Sequence, residues 1–132
     1  MLLFLFFEKV YQIIPFADKN GKAHFALNNA KENKAVSFSY SLNTLPYFTQ
    51  WKNEDTIENG YVTGLEPGNS FPANRSHERE KGRIPKIKGG ESVEYELEYT
   101  LHSGKDEVNS ALDKIKELNK GKKVKFIKTP EH

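Results

Sequence analysis

No cysteine occurs in the 132 residues. A disulfide framework, a thiolate metal site and a cysteine nucleophile are all excluded by that absence. Charge of one sign is also scarce: 20 Lys and Arg against 18 Asp and Glu leave a net +2, far from the concentrated basic face with which proteins grip nucleic acid. Long apolar runs are missing too. Met1 to Phe7 falls well short of the about 20 residues that a membrane-spanning helix requires. Glu8-Lys9 follows it, where a secretory signal would carry a small-residue cleavage site. The run reads as a buried strand of a soluble, cytoplasmic protein without membrane contact. Four scattered histidines (His24, His77, His102, His132) show no metal-ligand spacing, and no metal or cofactor is expected.

What is present is enough aromatic side chain for a core: nine Phe, six Tyr and one Trp. The length suits one ordinary domain. Its dominant period is two. Val36, Phe38, Tyr40 and Leu42 alternate with Ser37, Ser39 and Ser41, and from Ser92 to Ser103 the residues Val93, Tyr95, Leu97, Tyr99 and Leu101 alternate with Glu94, Glu96, Glu98, Thr100 and His102. Both read as strands with the apolar row inward and the polar row outward, the glutamates discouraging edge-to-edge pairing with another chain. Further strands are predicted at Val10–Phe16, Lys22–Asn28, Tyr47–Lys52 and Tyr61–Leu65, with a hairpin loop at Asp18–Gly21. Residues 67–85 read as a long functional or mobile loop. One helix follows: Val108, Ala111, Leu112, Ile115 and Leu118 have helical spacing, Ser103 and Asp106 form an N-cap pair, and Asn119 and Gly121 end it. Lys122–Lys128 reads as a short lysine-rich edge strand. The expected architecture is antiparallel and mostly β, of six to eight strands, with one C-terminal α-helix.

The stretch richest in chemistry runs from Leu45 to Asn53 and from Gly60 to Asn69. Glu66 lies at an apolar strand end before a proline, where a partly desolvated carboxylate is suited to general-base work; the bland alternative pairs it with Lys52 or Arg75. Trp51 offers a face for stacking on a sugar ring, with Gln50, Lys52 and Asn53 beside it for hydroxyls; the alternative is an ordinary core aromatic. Arg75, Arg79 and Arg83 could clamp an anion, but their interleaving with Glu78 and Glu80 favours a solvated loop. Asn74-Arg75-Ser76 matches the glycosylation pattern, a short and commonly accidental match.

Taken in order, Trp51-Lys52-Asn53, Gly64-Leu65-Glu66-Pro67-Gly68-Asn69 and Gly89-Gly90-Glu91-Ser92 resemble the C-terminal part of aldose 1-epimerase-like proteins, a poorly characterised bacterial branch, over roughly Val10 to His102. The resemblance implies part of a galactose mutarotase-like β-sandwich (residues 1–104) that binds a monosaccharide in an open groove, followed by a helix and lysine-rich tail (residues 105–132) outside the match. It implies Glu66 as the base that takes the anomeric proton, with ring opening and closure completed by a histidine acid. That histidine belongs to earlier segments of the family, and His24, His77 and His102 do not occupy its place. Met1 is therefore expected to begin a truncated or split reading frame, or a half-domain completed by self-association or a partner.

The leading expectation is an aldose 1-epimerase-like carbohydrate-binding protein, with Glu66 as inherited base, Trp51 as sugar platform, and Lys52, Asn53, Asn69 and Arg75 on hydroxyl or phosphate groups. Catalysis by this chain alone is left open. The rival expectations are a non-catalytic carbohydrate-binding module and a structural or interaction domain.

Overall fold

The computed structural model describes residues 8–123. The strand expected at Met1–Phe7 and most of that expected at Lys122–Lys128 lie outside them. In chain order the elements are β1 (Glu8–Ile13), β2 (Lys22–Asn28), β3 (Lys34–Ser41), β4 (Tyr47–Asn53), a 3₁₀ turn (Ile57–Asn59), β5 (Val62–Gly68), α1 (Arg75–Glu80), β6 (Leu97–Ser103) and α2 (Lys105–Leu118). Strand pairing is antiparallel throughout, in two three-stranded sheets of order β1-β4-β5 and β2-β3-β6. The chain divides into two compact units. One holds residues 8–15 and 45–91 of the described chain; the other holds 16–44 and 92–123.

In the first unit, β4 is the central strand. Phe48 and Thr49 are buried on it, 2% and 4% exposed. The segment after β5 is not the open loop that its charges suggested. Glu78, only 2% exposed, accepts hydrogen bonds from both Nε (2.7 Å) and Nη2 (2.6 Å) of Arg83 and from the backbone N–H of Phe71 (3.1 Å). Phe71 packs against Tyr47 with ring centres 4.6 Å apart, and the Arg83 guanidinium lies over both rings. Sequence pattern alone made Arg83 part of a solvated charge cluster. Instead, a forked ion pair, the strongest geometry available to a carboxylate, fastens 71–83 to β4.

The second unit is built on β3. Its hairpin with β2 closes as expected: Asp18 Oδ1 accepts from the N–H groups of Asn20 and Lys22 (2.8 and 2.9 Å), and Gly21 takes the positive φ of 77° that the turn needs. Register places Ala23, Phe25, Leu27, Val36, Phe38, Tyr40, Leu97, Tyr99 and Leu101 on one face, and His24, Ser37, Ser39, Glu98, Thr100 and His102 on the other. The helix α2 contacts β2, β3 and β6, burying Val108 and Ala111. Its side of the sheet is the polar one: Ser37, Ser39, Thr100 and His102 share a cavity with its residues Asp106, Ser110 and Lys114.

Two expectations are corrected here. The strand from Ser92 is ordered as a strand only from Leu97. Its apolar row is not inward along its length, since Tyr99 is 60% and Leu101 83% exposed. Alternation says which residues share a face; whether another layer covers that face is decided elsewhere in the chain. The α2 cap also differs. Gly104 stands at the N-cap without a side-chain bond, and the carboxylate of Glu107 accepts from the Ser103 N–H at 3.0 Å.

Candidate functional site

On the β1-β4-β5 sheet, Trp51 stands opposite Val10 and Gly64, while Thr49 stands opposite Gln12 and Glu66. Directly opposed residues share a face, so Trp51, Asn53, Gly64 and Glu66 lie on one side. Glu66 and Trp51 are diagonal neighbours, a relation that spaces β-carbons about 7–8 Å apart and keeps long and aromatic side chains within reach. Gly64 explains where the carboxylate goes. A β-carbon built on it would collide with Glu66 Oε1, and it would stand 3.2 Å from Glu66 Cδ. The Glu66 side chain thus folds back over the bare glycine, directly across from the tryptophan.

The carboxylate is exposed, not desolvated as its apolar sequence neighbours suggested. It makes no ion pair among the described residues, so neither Lys52 nor Arg75 neutralises it. Trp51 is half-buried, and its carbonyl accepts from the Thr63 hydroxyl at 2.9 Å, a bond that ties β4 to β5 beside the site.

The other candidate residues are distributed unevenly. Asn53 shares the face of Trp51. Lys52 does not: the two-residue period turns it to the opposite side, where its ammonium lies 5.6 Å from the centre of the Tyr11 ring. Asn69 follows β5 directly and is half-buried; Arg75 opens α1 and is exposed. Tyr47 stands on the same face as Trp51, and the Phe71–Glu78–Arg83 cluster is anchored on it. Pattern reading missed that support. The five-residue spacing of Glu78 and Arg83 around a short helical turn was the available signal.

Among the described residues, no histidine hydrogen-bonds or pairs with Glu66. His24 Nε2 bonds Asp18 Oδ2 at 2.8 Å, and His102 Nε2 bonds the Ser37 hydroxyl at 2.7 Å. The bond from His24 holds the Asp18 carboxyl down to about 2, with backbone N–H groups adding to the effect. His77 lies on α1 with a buried Nε2 that has no hydrogen-bond partner. Nor does Glu66 line the cavity beneath α2. That cavity, of about 1020 Å³, lies under α2 in the second unit. Its His24 and His102 are already engaged with protein partners. The Glu66 face is the more open chemically: a free carboxylate, an indole face and an amide on one surface.

The architecture is mostly β, with two antiparallel sheets and two helices, and it matches a known fold. A crystal structure of a "putative aldose 1-epimerase" from Klebsiella pneumoniae subsp. pneumoniae superposes with a TM-score of 0.88 at 36% sequence identity. The match covers 93% of this chain, so it extends past His102 into α2, beyond the span of the motifs; it covers 32% of the Klebsiella chain. This chain therefore spans about a third of that relative's length. The fold is of the galactose mutarotase type. Within that class, residues 5–101 match the family described as "Domain of unknown function (DUF4432)", and the chain belongs to that family. No curated protein matches it. No described helix is long and apolar enough to cross a membrane.

Proposed function

We propose that this chain carries the base-bearing, sugar-facing part of an aldose 1-epimerase-like protein. Glu66 accepts the anomeric proton, the Trp51 indole stacks on the apolar face of the sugar ring, and Asn53 bonds a ring hydroxyl, with Asn69 and Arg75 closing on further hydroxyl or phosphate groups. Lys52, on the opposite side of the sheet, takes no part in the same contact. The observation that carries this reading is the folding of an unpaired Glu66 carboxylate over Gly64, diagonal to Trp51. A carboxylate is a competent base only when no cation neutralises it and a substrate proton can reach it. Ring opening also needs an acid at the ring oxygen. The resemblance assigns that acid to a histidine on earlier segments of the family, and the anomer-exchange assay below decides whether this chain alone completes mutarotation. The compartment is taken to be the cytoplasm on composition alone.

The test has two parts. Titration with aldohexoses, free and phosphorylated, is expected to change the fluorescence of the sole tryptophan, and Trp51→Phe removes the signal. Anomer exchange of a freshly dissolved sugar, followed by NMR, is expected to run at the buffer rate with the chain alone. No fluorescence response to any aldose would end the reading. Exchange above the buffer rate that survives in Glu66→Gln would end the role of Glu66.

A further inference from the structure

Protein interiors are close-packed, and a helix laid on a sheet normally seats its aliphatic stripe on an apolar face. The second unit departs from both rules. The apolar side of its sheet carries a stacked row, Phe25, Phe38 and Tyr99, with ring centres 5.5 Å apart on either side of Phe38. The helix α2 lies on the other side, across the hydroxyls of Ser37, Ser39 and Thr100. The gap between them, about 1020 Å³, is at the upper end of the range that holds a small molecule. Its helix wall includes Ala111, Ile115 and Leu118. Its sheet wall is anchored at both ends: His24 is tied to Asp18 and His102 to Ser37. Between those anchors, the Ser39 and Thr100 hydroxyls make no hydrogen bond among the described residues. Ser39 stands opposite Glu98 and Thr100 opposite Ser37, so the two are diagonal neighbours on adjacent strands. That relation spaces β-carbons about 7–8 Å apart, a span that two hydroxyls of one six-membered ring can bridge.

We propose that this cavity is a binding site for a neutral cyclic polyol such as a pyranoside. The C–H face of the ring lies against Ala111, Ile115 and Leu118, and its hydroxyls bond Ser39 and Thr100. An occupant with one apolar and one polar face resolves the mismatch between an aliphatic helix wall and unpaired sheet hydroxyls, which no purely apolar or purely ionic molecule does. Charge selects against an anion. Glu98 and Asp106 line the cavity without an ion pair among the described residues, against a single such cation, Lys114. A phosphate or carboxylate group would meet net repulsion there. The assignment uses neither Glu66 nor Trp51 and stands or falls without the reading of those residues.

The probes are methyl glucopyranoside, methyl galactopyranoside and myo-inositol, none of which has a free anomeric hydroxyl for a base to act on. Each is titrated into the isotope-labelled full chain, and backbone amide shifts are followed by NMR. The expected result is saturable shifts at Ser37, Ser39, Thr100 and Ala111 with at least one probe, retained in Trp51→Phe and in Glu66→Gln. Thr100→Val keeps the shape and removes the hydroxyl, and is expected to weaken that binding by about tenfold. Ser39→Ala, a second small change on the same wall, is expected to do the same. The 6-phosphate of the bound pyranoside, or the monophosphate of inositol, is expected to bind at least about tenfold more weakly than its neutral parent. No saturable shift at the cavity amides with any probe overturns the proposal. Shifts confined to Trp51, Asn53 and Glu66 overturn it too, while leaving sugar recognition on the β1-β4-β5 sheet intact. Unchanged affinity in both hydroxyl variants, or a phosphate that binds as tightly as its parent, overturns the assigned contacts.

Discussion

The two units treat their polar side chains in opposite ways. In the β2-β3-β6 unit, polar groups on the helix side satisfy one another: Asp18 with His24, Ser37 with His102, and the Glu107 carboxylate with the Ser103 N–H. In the β1-β4-β5 unit, Glu78 is equally well satisfied, held by Arg83 and Phe71. Glu66, two strand positions from Gly64, has no hydrogen-bond or ion-pair partner among the described residues. A polar group that the fold has already paired is structural; one held in place but left unpaired is available to a ligand. By that criterion His24 and His102 beneath α2 are structural groups, and the Glu66 carboxylate is the one that the proposed function draws on.

The contrast is open to attack by substitution. The largest effect is expected from Phe38→Ala, which removes the centre of the stacked row in the second unit and should lower stability by about 4 kcal/mol in urea unfolding; a loss below about 1 kcal/mol would show that this row is not core. In the first unit, Arg83→Ala strands a buried carboxylate and is expected to cost about 3 kcal/mol, while leaving any sugar response of Trp51 intact where the protein remains folded. Gly64→Ala should separate site from scaffold. Its methyl displaces only the flexible end of Glu66, so stability is expected to change by less than about 1 kcal/mol, yet sugar binding monitored by Trp51 fluorescence is expected to weaken by about tenfold. A variant that binds as well as the parent would show that the position of the carboxylate is immaterial.

The smallest effect concerns acid. The Asp18 carboxyl lies at about 2 against an ordinary 3.8, so it binds its proton more readily in the unfolded chain than in the folded one. Its contribution is therefore complete above about 3.8 and disappears as pH falls towards 2. Glu78, lowered by the side-chain bond from Arg83, acts in the same direction. The thermal midpoint should fall between pH 4 and pH 2, and less steeply in Asp18→Asn; an identical slope in that variant would remove Asp18 from the account.

Much of this molecule was legible from residue order. Five of the six strands fall within a few residues of their alternating or turn-bounded segments, because a two-residue period and a hairpin turn are local properties. The same period separates Lys52 from Trp51, a consequence that grouping by sequence proximity overlooked. Gly64 and Glu66 share a face of β5 by the same period, but the placing of Trp51 opposite them was not legible, since it depends on the register of β4 against β5. The burial of Glu78 was hidden for a similar reason: only the docking of Phe71 on Tyr47 closes water away from the pair. The helix α2 was recognisable by its spacing, but not the face it covers.

Composition and periodicity determined the absence of thiol chemistry, the β-rich architecture, the turns, the terminal helix and the residues that share a strand face, because each follows from covalent chemistry or from neighbours a few positions apart. Tertiary structure decided which faces are covered, which carboxylate is neutralised and which remains free. Burial and pairing depend on groups brought together from distant parts of the chain, and no local pattern encodes their partners.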